Sequence, residues 1–126
     1  MTFSAFIAVA VGGTLGCWLR WIFSTYWNAL APSLPLGTLA ANLVGGYLVG
    51  LAVAFFGANA SLAPEWRLMC ITGFLGGLTT FSTFSAESVQ MLLDGRLAAA
   101  TIHAGVHLFG SLALTAAGIA TFRALS

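Results

Sequence analysis

Charge is the scarcest commodity in this chain. Three acidic and four basic side chains make up 6% of 126 residues, whereas a soluble domain carries about 25%. That excludes an ordinary soluble fold, and with so little basic surface nucleic acid is not an expected partner. Cysteine is nearly as rare. Cys17 and Cys70 both fall in apolar segments, where a thiol packs as a small apolar group more readily than it forms a disulfide or metal site. The three prolines, Pro32, Pro35 and Pro64, stand only between apolar runs. The start, Met1-Thr2-Phe3-Ser4, has no basic region and no lipidation pattern, so neither a cleaved signal peptide nor a lipid anchor is expected. What remains is apolar: 60% hydrophobic residues and a mean hydropathy of +1.00. The expectation is an all-α membrane protein, a single domain of four transmembrane helices over residues 3–23, 36–56, 68–93 and 97–122.

The third span organises the others. Gly73-Phe-Leu-Gly-Gly-Leu-Thr-Thr-Phe-Ser-Thr-Phe-Ser85 places three glycines within five positions, each costing roughly 1 kcal/mol of helix propensity against Ala. Thr79, Thr80, Ser82 and Thr83 follow, and such hydroxyls capture freed backbone groups. The spacing predicts a helix broken at its centre. In hydrocarbon a break is tolerated only where protein or a wet cavity covers it, which makes it a candidate ion or substrate site.

Polar residues on the flanking spans are few and ordered. In the second span Thr38, Asn42, Gly46 and Gly50 recur every fourth position and share one helix face. A lone Asn there serves either an interhelical hydrogen bond or a pore wall. In the fourth span His103, His107, Ser111 and Thr115 form a stripe roughly 18 Å long at 1.5 Å per residue. Each needs a partner in a medium without water, so the stripe reads as a hydrophilic track. Zinc on His103 and His107 fits the i,i+4 spacing, but no third ligand stands nearby in sequence. Gly12 and Gly16 suit close helix packing. Arg20 reaches headgroups or a wet vestibule, and Glu87 is either an interfacial carboxylate or a proton carrier.

Arginines near span ends set orientation. Four spans leave Arg67 and Arg123 on one side, Arg20 and Arg96 on the other. Two against two gives no preferred direction. Both orientations are expected, and opposed copies can pair about a twofold axis in the membrane plane, with glycine faces that include Gly73 and Gly77 as possible contacts.

The third-span motif, with Asn42-Leu-Val-Gly-Gly46 before it and Gly-Cys-Trp-Leu-Arg20 in the first span, resembles the Fluc (CrcB-type) fluoride channels over the whole chain. The resemblance implies an antiparallel, dual-topology homodimer in the bacterial plasma or inner membrane, with two fluoride pores. It implies pore roles for Asn42, Phe81, Phe84, His107, Ser111 and Thr115. Thr38, Thr80, Thr83, His103, Arg20 and Glu87 would belong to the polar track or vestibules. The carbonyls of Gly76 and Thr79 would hold a structural Na⁺ at the dimer interface. The chemistry is coherent: neutral donors strip fluoride of water without trapping it, and aromatic edges are positive. The implied function is passive fluoride export, and no enzyme activity. A small dual-topology multidrug or cation antiporter is the alternative, although the first span lacks the acid such exchange requires. A non-transporting assembly subunit and an intramembrane enzyme fit less well, Cys70 with a distant His being too weak a nucleophilic constellation.

Overall fold

The computed structural model describes residues 1–126. Helix α1, Phe3–Trp27, begins where extended Thr2 lends its hydroxyl oxygen to the Ala5 N–H at 3.2 Å, satisfying one donor that a helix start leaves free. It runs one turn past the residue-23 limit expected from hydropathy and ends in a 3-10 turn, Asn28–Leu30. Helix α2, Leu36–Ala58, follows Pro35, which has no capping side chain. Asn28 supplies the cap from nine residues upstream. Its Oδ1 accepts from the N–H groups of Gly37 (2.8 Å) and Thr38 (3.1 Å).

The third segment is irregular. Helix α3, Pro64–Arg67, has proline at its first turn, where no N–H is needed. It widens into a π-helical stretch, Leu68–Leu75, and returns to a short α4, Gly76–Leu78. Thr79 (φ −82°, ψ 156°) and Thr80 (φ −151°, ψ 119°) are extended, and α5 runs Phe81–Leu93. A turn then closes on Gly95 at φ 75°. Gly95 N–H donates to Leu92 O (3.0 Å) and Arg96 N–H to Met91 O (2.9 Å), the pair of bonds that ends a helix on a left-handed residue. Helix α6, Leu97–Leu125, completes the chain.

Four segments are long and apolar enough to cross a bilayer: Phe3–Leu30, Leu36–Ala58, Pro64–Leu93 and Leu97–Leu125. The chain is a multi-pass membrane protein. Its outward side chains are apolar, among them Trp18, Trp21, Phe109 and Leu112, and its fully enclosed apolar residues are few, centred on Ala41, Leu75 and Leu78. Lipid removes the hydrophobic drive between helices, so close backbone packing replaces it. The glycines provide that packing. A Cβ on Gly16 would meet Leu78 N at 2.8 Å, one on Gly73 would meet Gly13 N at 3.0 Å, and one on Gly77 would meet Cys17 N at 3.0 Å. On the other side, Gly46 lies against Ser111 O (3.1 Å from such a Cβ) and Gly50 against Ile119 N (3.1 Å). This corrects the expectation that these glycine faces await a second copy. They are consumed within the chain, clamping α1 to the third segment and α2 to α6.

Candidate functional site

The extended pair Thr79–Thr80 strands backbone groups, and Asn42 on α2 takes them up. Thr80 N–H donates to Asn42 Oδ1 at 2.7 Å, and Asn42 Nδ2 donates back to Thr80 O at 2.9 Å. Only one orientation of the carboxamide satisfies both bonds, which settles its oxygen and nitrogen. The second Nδ2 proton points at His107 Nδ1, 3.0 Å away. Nδ1 must therefore accept. In a neutral imidazole the proton then sits on Nε2. His107 is 4% exposed and its Nε2 has no partner within the chain. Both Asn42 donors are committed, so the free N–H of this group belongs to His107.

The aromatic residues stand beside it. Phe84 lies 4.8 Å from the His107 ring and 5.3 Å from the His103 ring, centroid to centroid, and 5.4 Å from Phe81. Phe81 itself is 80% exposed. On α6, Thr115 Oγ1 lies 2.9 Å from both Gly46 O and Ser111 O, so its single proton is shared between carbonyls. Ser111 contributes its carbonyl to that contact.

A cavity of about 700 Å³ collects most of these groups. Asn42, Phe81, Phe84, His107, Ser111 and Thr115 line it, together with Gly76, Thr79 and Thr80. Five expected residues lie outside this lining. Thr38, Glu87 and His103 form a buried cluster next to it: Thr38 Oγ1 donates to Glu87 Oε1 at 2.6 Å, and Glu87 Oε2 is 3.2 Å from His103 Nε2. Thr83 gives its N–H to Thr80 Oγ1 at 3.0 Å, capping α5. Arg20 is on the opposite side of the third segment. Its Nε donates to Gly77 O at 2.9 Å, neutralising a carbonyl in the turn before the extended pair.

Two residues that sequence reasoning left aside also matter here. Asn28 places Thr38 through the cap on α2 and a 3.4 Å contact from its Nδ2 to Thr38 Oγ1. Gly45 lets Thr79 approach α2, since a Cβ there would collide with the Thr79 methyl. Neither has a local signal, since Asn28 is separated from the start of α2 by a 3-10 turn and both prolines and nothing beside Gly45 marks the approach of Thr79.

The site thus comprises neutral donors, aromatic rings and glycine-opened backbone around one cavity, with the charged groups held at its margins. Residues 7–119 match the family described as CrcB-like protein, Camphor Resistance (CrcB). The chain belongs to that family. Among curated relatives, a protein of Cupriavidus metallidurans is 62% identical over 121 residues, 96% of each chain. One of Ralstonia nicotianae is 58% identical over 125 residues, 99% of each, and one of Ralstonia pickettii is 57% identical over 126 residues, the full length of both. All three carry the name fluoride-specific ion channel FluC. They are similar to this chain along its whole length, so the similarity spans the cavity and its margins alike.

Proposed function

We propose that this chain is a fluoride-selective channel that lets fluoride leave the cell down its gradient. The observation that carries the reading is the neutral donor at the cavity wall. Asn42 holds the His107 ring with Nε2–H free, and the Phe81 and Phe84 rings flank the same space. An unpaired buried donor costs roughly 1–3 kcal/mol, and an anion taking its place recovers that cost. A neutral N–H releases the anion again, where a guanidinium would hold it. The names of the full-length relatives point the same way.

In this reading two copies assemble antiparallel, in dual topology, with two pores. The open cavity and the exposed Phe81 ring support a second chain as the missing wall. The central sodium ion fits the backbone chemistry. A continuous helix would give Thr80 N–H to Gly76 O and Thr83 N–H to Thr79 O. Here Asn42 Oδ1 and Thr80 Oγ1 take those protons. The Gly76 and Thr79 carbonyls, deprived of their helical donors, offer the hard oxygen ligands that Na⁺ prefers. A broken third helix would thereby serve two ends, freeing carbonyls for the cation and turning α5 so that its phenylalanines face the anion. Nothing favours the antiporter reading, because Glu87 is engaged by Thr38 and stands beside His103 instead of facing an open binding chamber.

The test is ion efflux from proteoliposomes. Fluoride should pass and chloride should not, and Phe81→Ile or Phe84→Ile should each reduce fluoride efflux at least about tenfold, the equivalent of 1.4 kcal/mol at the barrier. Equal passage of chloride would end the assignment.

A further inference from the structure

The cluster at the cavity margin has the composition of a metal site. Glu87, His103 and His107 each offer a ligand atom, and the three atoms lie within 4.8 Å of one another. Two buried ring nitrogens, His103 Nδ1 and His107 Nε2, have no partner within the chain, and Glu87 Oε2 and His103 Nε2 have only each other, 3.2 Å apart. His103 is completely buried. Three side chains with unsatisfied lone pairs or protons converging in a low-dielectric pocket are costly to keep without a common partner. The i,i+4 histidines on α6 lacked a third ligand in the sequence. The fold supplies it from α5.

We propose that Glu87, His103 and His107 bind a zinc ion, and that zinc bound there blocks conduction. The geometry suits it. Zinc takes nitrogen and carboxylate ligands at roughly 2.0–2.2 Å in a tetrahedron, which sets neighbouring ligand atoms roughly 3.3–3.6 Å apart. His103 Nε2 and Glu87 Oε2 already stand 3.2 Å apart, and the two histidine rings are 4.4 Å apart centre to centre. Thr38 Oγ1 donates to Glu87 Oε1 at 2.6 Å, orienting the carboxylate and leaving Oε2 as the ligand oxygen, an outer-shell role common to metal sites. His107 lines the cavity, which provides the entry route. Two imidazoles and one carboxylate leave the fourth position open, and a zinc ion presenting an open position to the cavity would hold an anion that a neutral donor releases.

The block has a second cause in the histidine tautomer. Ligation through His107 Nε2 moves its proton to Nδ1, where it meets the Asn42 N–H head-on. Zinc therefore removes the free donor and breaks the link from Asn42. An Asn42→Asp exchange reverses the conflict, because a carboxylate at that place accepts from Nδ1–H and completes a carboxylate–histidine–zinc arrangement.

Metal binding is measured separately from transport, so the two readings fail separately. Purified full-length protein is dialysed against micromolar ZnCl₂ and its metal content determined. One zinc per chain is expected, with affinity reduced at least about tenfold in both Glu87→Gln and His103→Gln, and raised about 10–100-fold in Asn42→Asp. In proteoliposomes zinc should suppress fluoride efflux of the unmodified chain, chelation should restore it, and Mg²⁺, which demands oxygen ligands, should do nothing. Gel filtration of each variant checks that it is folded. Zinc binding that survives both glutamine variants, or suppression by Mg²⁺ as strong as by zinc, overturns the site. Metal bound as expected while fluoride flows undiminished overturns the block.

Discussion

Asn42 makes three hydrogen bonds from one carboxamide, two to Thr80 and one to His107. Asn42→Asp keeps the bond from Thr80 N–H but sets an acceptor against Thr80 O, and it draws the His107 proton to Nδ1, which removes the free Nε2–H. Each lost or reversed bond in a buried site costs about 1–3 kcal/mol. Fluoride efflux should fall at least tenfold, and the unfolding midpoint in detergent should drop below that of the unmodified chain. An unchanged efflux would remove Asn42 from the conducting machinery. At this scale the sequence was half legible. Periodicity put Asn42 on a face with Thr38 and Gly46, and His103, His107, Ser111 and Thr115 on one stripe. What each stripe meets was hidden, because partners are far apart in the chain. Asn42 bonds Thr80 across 38 positions and Arg20 bonds Gly77 across 57. The stripe on α6 divides accordingly: His103 and His107 face Phe84 on α5, while Thr115 bonds Gly46 on α2.

At the scale of elements, specific devices hold the starts of α1, α2 and α5 and the end of α5. Thr80 is extended and caps α5 through the Thr83 N–H. Thr80→Val removes the cap oxygen at nearly constant volume and should destabilise by about 1–2 kcal/mol, whereas Thr80→Ser, which retains it, should stay near the unmodified chain in thermal unfolding. Loss in Thr80→Ser without loss in Thr80→Val would show that the methyl group, not the oxygen, is what the structure uses. The glycine seams give a sharper contrast. A side chain at Gly16 meets the backbone of Phe74 and Leu78, which cannot step aside. Gly16→Val should therefore cost about 1–3 kcal/mol or more. A Cβ on Gly57 meets nothing within 4 Å, and Gly57→Ala should be neutral or gain up to about 1 kcal/mol through helix propensity. The spacing of Gly12 and Gly16 announced a packed face. It could not say that the partner is the third segment of the same chain, since small-xxx-small reads identically within and between molecules. The π-helical form of Leu68–Leu75 had no sequence sign either: Thr72 and Gly73 weaken an α-helix there but do not say that it widens.

For the whole molecule, the balance of arginines carries the proposed assembly. Arg67 and Arg123 oppose Arg20 and Arg96, and orientation follows basic residues in short loops close to the spans. Two added lysines should tip a balance of two against two. Asn59→Lys with Ser61→Lys loads the loop between α2 and α3; Ala31→Lys with Ser33→Lys loads the loop between α1 and α2, on the other face. With Cys17 and Cys70 replaced by serine, a cysteine placed at Ser126 reports which side the C-terminus occupies. The balanced chain should be labelled from both sides, and each lysine pair should confine labelling to one side, opposite for the two pairs. An antiparallel dimer needs both orientations, so either biased variant alone should lose most fluoride efflux, and coexpression of the two should recover it. A biased variant that conducts fully by itself would mean that copies facing the same way suffice. The cavity beside Phe81 would then need a different second wall.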